Sequence, residues 1–243
     1  MRKIEKPNQD PDPLLIFKSR QIAAGVTPRY SDFQNPEKAE YVLELLREQG
    51  YLCAYCNVTL DFGDDIPSVR EAVRLKYISI EHWFPQHKCI GLLAQKKLEH
   101  KNLLGVCGGL TDAHFHCDKQ RSKFPVGEQD LTINPVYLDE ISCEDLITFE
   151  DGSIKSATGN VNIDNDLDNI LNLNCIPLIN RRKAVEQGYI EALNVLEDQD
   201  EVDLNDTVFL KKLYKDAYEN LNGRGKEDCM VIADLLKLRI LSL

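Results

Sequence analysis

Long apolar runs are missing from this chain, which has no stretch approaching the roughly twenty apolar residues that a membrane-spanning helix needs. The charged residues within 1–6 are not followed by the apolar segment of a secretory signal peptide. We therefore expect a soluble, cytoplasmic protein that makes no contact with a membrane.

Glycine and proline are also sparse, at 13 and 10 of the 243 residues, and no internal repeat is evident. This composition argues against fibrous and low-complexity proteins, whereas 43% hydrophobic residues are enough for a packed core. The length allows one large domain or two small ones.

Positive charge is scarce over the chain as a whole, whose formal net charge is −11. A uniformly acidic surface would repel nucleic acid. The exception is residues 70–125, which hold ten lysine and arginine residues against five acids, together with all five histidines. This local excess of positive charge suits a phosphate-bearing substrate; the alternative is that these lysines only solvate loops.

The chain contains eight cysteines, but its sequence does not show the export signal that would accompany a disulfide-rich secreted protein. In a reducing compartment, closely spaced thiols favour metal binding over disulfides. The spaced set is Cys53, Cys56, Cys107 and Cys117. The remaining cysteines stand alone and are expected to behave as small buried hydrophobic residues, namely Cys89, Cys143, Cys175 and Cys229.

The first pair, Cys53 and Cys56, has the two-residue spacing that lets two thiolates share one tetrahedral zinc ion. A redox pair has the same spacing, but it belongs in a β-α-β setting that the surrounding sequence does not show. The pair on its own is weak evidence, and the zinc prediction depends on the other two cysteines.

The second pair is less regular, because nine residues separate Cys107 from Cys117. Both thiolates reach one zinc ion only if residues 108–116 loop out. Zinc also accepts imidazole nitrogen, so His114 or His116 is an alternative to one of the cysteines. We expect a structural site with four cysteine ligands.

Hydrophobic periodicity and turn residues predict an α+β chain. The expected elements of the first half are helices at 14–24 and 37–50, strands at 77–82 and 102–106, and a short helix at 117–123. The second half is expected to form a β-hairpin at 146–155, turning at Asp151-Gly152, and helices at 179–196, from 204 onward and at 226–241.

The polar residues of the middle region occur in a distinctive order. After the Cys-x-x-Cys pair come Glu81-His82 with Pro85 three residues on, then Asn102-Leu103, then Cys117-Asp118 with Arg121 one turn later. This pattern resembles the HNH endonucleases, which have the His-Me finger fold, of the zinc-braced kind. The resemblance covers roughly residues 51–125.

The resemblance implies a ββα-metal core braced by a zinc site with four cysteine ligands. It divides the chain into an N-terminal helical lead-in at 1–50, a zinc-braced nuclease core at 51–126, and a hairpin with a mainly helical region at 127–243. For those last helices, the sequence leaves two roles open: completion of the core, or docking of a partner.

The resemblance also implies roles for four side chains. Glu81 and Asp118 are expected to be ligands of a catalytic cation, for which carboxylate oxygens suit Mg²⁺ or Mn²⁺. His82 is expected to be the general base, because an imidazole can take a proton from water near neutral pH. Asn102 corresponds to the residue whose amide fixes the loop bearing the base; without the motif, a turn or capping role would be expected.

Three cations near the predicted helix are candidates for binding the substrate phosphate. Arg121 follows Asp118 by three residues, so the two share a face of that helix. Lys119 and Lys123 are expected to assist less specifically. Structural salt bridges are the alternative role for all three.

Three further features are Met-Arg-Lys-Ile at 1–4, Glu-His-Trp-Phe-Pro at 81–85, and Cys-Gly-Gly at 107–109 separated from His-Cys-Asp-Lys-Gln-Arg at 116–121. With these features the chain more narrowly resembles the PtuB nuclease subunits of Septu anti-phage systems, which also accompany some retrons. It implies a partner ATPase of the PtuA type, and in a retron context a reverse transcriptase with its non-coding RNA and DNA. The expected substrate is DNA, with RNA such as tRNA as the alternative. The competing interpretation is a zinc-ribbon module, with a degenerate active site, that binds nucleic acid or protein.

Overall fold

The computed structural model describes residues 1–60, 71, 73, 77–136, 141–199, 202–218 and 225–243. In these ranges the protein is α+β, as predicted, with more helix than strand and with its strands in short antiparallel pairs. Arg70, Arg74 and Lys76, which contribute to the predicted basic region, lie outside the described residues.

The N-terminal segment forms helices α1 (Asp12–Ala23) and α2 (Glu37–Glu48), which confirms the two predicted helices. Four apolar residues of α2 are fully buried at helical spacing, namely Tyr41, Val42, Leu45 and Leu46. Burial of this face fixes α2 against the rest of the chain.

The middle segment contains strands β1 (Ile78–His82) and β2 (Leu103–Cys107), which pair antiparallel so that His82 faces Leu103 and Ile78 faces Cys107. Both strands were predicted. The two-residue strands β3 (Leu110–Thr111) and β4 (His114–Phe115) form a small hairpin, and helix α3 (Cys117–Arg121) follows directly.

The C-terminal segment begins with strands β5 (Ile147–Glu150) and β6 (Ser153–Ser156), which form the predicted hairpin. Gly152 adopts φ +72° at its turn. The helices that follow are α4 (Val161–Asn165), extended by a π-helical turn over Asp166–Ile170, then α5 (Ile176–Asp198), α6 (Thr207–Tyr218) and α7 (Cys229–Ser242).

The main hydrophobic core draws on all three segments of the chain. It includes Val42 and Leu46 of α2, Leu104 and Val106 of β2, and apolar residues of the C-terminal segment such as Leu167. The four solitary cysteines are buried, as predicted: Cys89, Cys143, Cys175 and Cys229.

None of the helices in the described ranges combines the length and the apolar character needed to span a bilayer.

Candidate functional site: a cysteine cluster beside an acidic cavity

The four spaced cysteines meet in the interior. Their sulfur atoms all lie within 4.8 Å of one another, and the separations are 3.9 Å for Cys53–Cys117 and 3.8 Å for Cys56–Cys107. Zinc bound by four thiolates at about 2.3 Å places its sulfur ligands about 3.8 Å apart. The cluster therefore has the dimensions of a tetrahedral metal site and could bind a structural metal such as zinc.

The backbone folds tightly around the first pair of thiols. The amide of Cys53 donates to the carbonyl of Val58 at 2.8 Å, and that of Asn57 donates to the carbonyl of Cys53 at 3.1 Å. Asn57 adopts φ +57°, a left-handed conformation that asparagine tolerates better than most residues. The amide of Cys107 also points at the sulfur of Cys53 at 3.4 Å, so β2 is joined to this turn.

The β3–β4 hairpin explains how Cys107 and Cys117 reach the same cluster although nine residues separate them in the chain. Residues 108–116 leave the cluster and return, so that Cys117 lies beside Cys53. Gly109 adopts φ +66°, and a Cβ atom there would lie 2.6 Å from the Cβ of Lys119 and collide with the carbonyl oxygen of His116. This position therefore requires glycine.

The two histidine alternatives lie outside the ligand set. His116 is buried, and its Nδ1 lies 3.3 Å from the sulfur of Cys117, while its Nε2 lies 3.0 Å from the hydroxyl of Thr111. It is therefore placed to hydrogen-bond a coordinating thiolate. His114 is half-buried on β4. Within the described ranges, the one group of three or more potential metal ligands is the set of four cysteines.

The electrostatics of the cluster favour a cation. Hydrogen bonds from Cys107 and Cys117 lower the pKa of the Cys56 thiol well below its ordinary value. Burial, followed by the neighbouring thiols, raises the pKa of Cys117. A divalent cation would favour ionisation of all four thiols.

The C-terminal segment also contacts the cluster. Arg181 of α5 donates to the carbonyl of Cys56 at 3.2 Å and forms an ion pair with Asp228, at 2.6 Å, just before α7. Asp228 is 1% exposed, so its charge depends on this arginine. The last helices are thus joined to the cysteine cluster as well as to the core.

A second feature lies at the other side of α3. A cavity of about 500 Å³ opens between the end of β1, the start of α3 and the loop that joins β1 to β2. Its walls include Glu81, His82 and Asp118, together with Tyr30 and Lys97. Three of the four side chains to which the resemblance gives a catalytic role therefore line one cavity.

The imidazole of His82 is held in a defined tautomer. Its Nε2 lies 3.0 Å from the carbonyl oxygen of Lys97, which can only accept, so Nε2 carries the proton. Its Nδ1 is then an acceptor and receives the side-chain amide of Gln86 at 3.1 Å. Burial lowers the pKa of His82 to about 4, against the effect of the Lys97 carbonyl, so the imidazole is neutral near pH 7.

Asn102 is buried and does not line the cavity. Its Oδ1 accepts from the amide of Phe84 at 2.6 Å, and its Nδ2 donates to the carbonyls of Phe84 at 3.1 Å and Lys96 at 2.9 Å. These bonds join both ends of the β1–β2 loop and hold the neighbouring carbonyl of Lys97 against His82. Asn102 is thus a positioning residue for the imidazole.

Glu81 and Asp118 lie close enough for their carboxyl groups to share a hydrogen bond. Burial, followed by the charge of Asp118, raises the pKa of Glu81 to about 8, although Arg121 opposes the shift. Two carboxyl groups in one cavity compete for a proton, and a divalent cation would replace that proton. The pair supplies the hard oxygen ligands that Mg²⁺ or Mn²⁺ takes.

Of the two roles left open for Arg121, its contacts fit the structural salt bridge, although the residue also lines the cavity. This arginine is 2% exposed, and its guanidinium is surrounded by protein acceptors. It forms an ion pair with Glu81 and donates to the carbonyls of His82 at 3.0 Å, Trp83 at 2.8 Å and Gln129 at 2.7 Å. A guanidinium held this way ties α3 to β1 and is not free to bind a phosphate.

The other two predicted phosphate ligands are exposed, and neither lines the cavity. Lys119 lies on α3. The ammonium of Lys123 lies 3.4 Å from the ring centroid of Phe115, a cation–π contact that holds it near the β3–β4 hairpin.

Sequence patterns did not single out Tyr30 or Gln86, which line the cavity, whereas Lys97 is one of the ten cations of the predicted basic region 70–125. Tyr30 comes from a 3₁₀ turn between α1 and α2, and its ring contacts the imidazole of His82 edge-on, with centroids 4.5 Å apart. Gln86 and Lys97 belong to the β1–β2 loop. For Gln86 the sequence held one clue: it follows His82 by four residues, a separation short enough for its side-chain amide to reach the imidazole.

Comparisons of the chain with family models, with curated proteins and with solved structures found no match.

Proposed function

We propose that this protein is a metal-dependent endonuclease of the HNH type that hydrolyses phosphodiester bonds of nucleic acid, with DNA as the expected substrate. The observation that carries the proposal is the cavity that His82 lines together with the carboxyl pair of Glu81 and Asp118. A base and a cation site in one cavity are what water activation and phosphate binding require.

In the proposed reaction, Glu81 and Asp118 hold Mg²⁺ or Mn²⁺, which when bound would neutralise charge on the phosphate and on the leaving oxygen. A water molecule takes the place of the Gln86 amide at Nδ1 of His82, which removes a proton from it, while Nε2–H stays on the carbonyl of Lys97. The water oxygen bonds to phosphorus, and the bond from phosphorus to the leaving oxygen breaks. Arg121 keeps β1 and α3 together during the reaction.

The same proposal assigns β1, β2 and α3 to a ββα-metal core and the cysteine cluster to structural zinc. Support comes from the order of these elements and from the position of α3, which contributes Cys117 to the cluster and Asp118 to the cavity. A structural metal here would hold the helix that carries a catalytic ligand.

In the cell, we propose a cytoplasmic effector of anti-phage defence that works with an ATPase of the PtuA type and, in a retron, with a reverse transcriptase and its nucleic acid. The net charge of −11 supports dependence on a partner, because an acidic protein approaches nucleic acid poorly alone. The C-terminal helices are the candidate docking region.

One observation favours a second candidate, a zinc-ribbon module that binds without catalysis. Arg121 forms a buried ion pair with Glu81 and partly neutralises a proposed cation ligand. If this pair persists when Mg²⁺ is present, the cavity would bind the cation weakly and the protein would not cleave.

The test is cleavage of supercoiled DNA and of tRNA by the purified protein, alone and with its ATPase, in Mg²⁺ or Mn²⁺. Cleavage should stop when the cation is omitted and in Asp118→Ala, whereas Asp112→Ala in the exposed β3–β4 turn should behave as the natural protein. Cleavage of tRNA but not of DNA would show that the substrate is RNA. Persistent cleavage by Asp118→Ala would refute the cation site, and inactivity under every condition would favour the binding module.

A further inference from the structure

Arg121 lines the proposed cavity, but its guanidinium is bonded to Glu81 and to backbone carbonyls, so other cations are the candidates for binding substrate phosphate; this inference rests on the proposed function. Two other lysines lie around His82. Lys97 lines the cavity directly, and Lys38 approaches it from α2 through Tyr30.

Lys38 is a half-buried cation without an anionic partner. Its ammonium lies 5.1 Å from the ring centroid of Tyr30, and no carboxylate of the described residues forms an ion pair with it. Burial lowers the pKa of Lys38, and no acidic group compensates for that burial. This contrasts with Lys6, another buried lysine, which is paired with Glu48 at 3.4 Å.

Tyr30 connects this lysine to the catalytic cavity. Its ring carries Lys38 on one face and contacts the imidazole of His82 with its edge. The ring is half-buried and lines the cavity. The ammonium of Lys38 is therefore separated from the general base by one aromatic ring.

Lys97 contacts the imidazole through its backbone and lines the same cavity. Its carbonyl orients Nε2 of His82, and its half-buried side chain has no ion pair with any carboxylate in the described ranges. Its neighbour Lys96, in contrast, pairs with Glu99 at 3.5 Å. Near one imidazole, therefore, lie two lysines that form no ion pair within the described ranges, in a protein with a net charge of −11.

We propose that Lys97, and Lys38 behind the ring of Tyr30, form a subsite that binds phosphates of a nucleic-acid backbone next to the scissile bond. The ligand is a polyanion, because two separated ammonium groups match successive phosphates better than one isolated anion. The N-terminal segment is then part of the substrate-binding surface.

The experiment measures binding of a short fluorescein-labelled DNA duplex to the full chain by anisotropy, with Ca²⁺ in place of Mg²⁺ so that the strands stay intact. The test variant is Lys38→Gln/Lys97→Gln. The matched control is Lys211→Gln/Lys212→Gln, which removes the same charge from two exposed lysines of α6. Circular dichroism and bound zinc verify that each variant is folded.

We expect the test variant to bind more weakly than the control at low salt. The slope of its plot of log Kd against log salt concentration should be smaller by about 0.9 for each phosphate contact that is removed. Lys38→Arg/Lys97→Arg should retain the binding of the natural protein, and this variant keeps the test valid if the glutamine variant does not fold.

Equal affinity and equal salt dependence of the test and control variants would overturn the subsite, as would absence of binding by the natural protein. Binding with the expected salt dependence, but without cleavage in Mg²⁺, would leave the subsite standing and refute the proposed nuclease activity instead.

Discussion

Cys117 and Asp118 are neighbours in the chain, but their side chains belong to different sites. The sulfur of Cys117 lies in the cysteine cluster, 3.9 Å from that of Cys53, while the carboxyl group of Asp118 lines the cavity with Glu81 and His82. The first turn of α3 thus separates a structural site from a candidate catalytic one. Because the two residues are adjacent, they can be tested as a pair.

The first prediction compares Cys117→Ser with Asp118→Asn. Cys117→Ser should lose bound zinc and unfold at a lower temperature, because it removes one ligand of a buried four-thiolate site. Asp118→Asn should retain zinc and stability but lose binding of Mn²⁺ in the cavity. Metal analysis by mass spectrometry and thermal unfolding measure both. Full zinc content in Cys117→Ser would contradict the assignment of the cluster.

The second prediction concerns the pH dependence of cation binding. Burial raises the pKa of Glu81 to about 8, so below that pH a cation must displace a proton. The affinity for Mg²⁺ should therefore rise with pH between 6 and 8 and level off above it, by up to about tenfold per pH unit. Burial lowers the pKa of His82 to about 4, so the imidazole stays neutral over this range.

Calorimetric titration of Mg²⁺ at several pH values measures this effect directly, and buffers with different ionisation enthalpies report the proton released. Glu81→Gln should bind Mg²⁺ weakly and without the pH dependence. An affinity for Mg²⁺ that stays constant between pH 6 and pH 8 would refute the protonated state of Glu81.

The third prediction concerns Gly109 in the β3–β4 excursion. Gly109→Ala should lower the free energy of unfolding by about 2 kcal/mol or more, because its φ of +66° and the close approach of His116 and Lys119 both exclude a Cβ. Bound zinc should decrease too, because Cys117 is displaced. Gly127→Ala is the control, since open space surrounds that glycine. Equal urea denaturation midpoints for the two variants would refute the requirement.

Much of the framework could be predicted from the sequence, because local signals determine it. Apolar spacing predicted α2, β1 and β2, and the Cys-x-x-Cys spacing predicted the tight turn at Cys53. The prediction that Cys117 joins the other three cysteines depended on residues 108–116 looping out. The turn at Asp112 and Ala113 has two residues with positive φ, and alanine gives no signal for that conformation.

The sequence left two roles open for Arg121, because helical spacing gives the face of a side chain but not its depth. Tyr30 lies 52 positions before His82 and becomes its neighbour only through packing of the N-terminal segment. The link from Arg181 to Cys56 spans 125 residues and follows no motif. Long-range packing, rather than local pattern, decides such contacts.

The proposed mechanism depends most on His82 as the general base, and chemical rescue tests that role most directly. His82→Ala should reduce the single-turnover rate of nucleic-acid cleavage by about 10² to 10⁴-fold, and added imidazole should restore part of that rate as an external base. His114→Ala, a half-buried histidine outside the cavity, should cleave at the natural rate. If His82→Ala cleaves as fast as His114→Ala, the proposed mechanism is wrong.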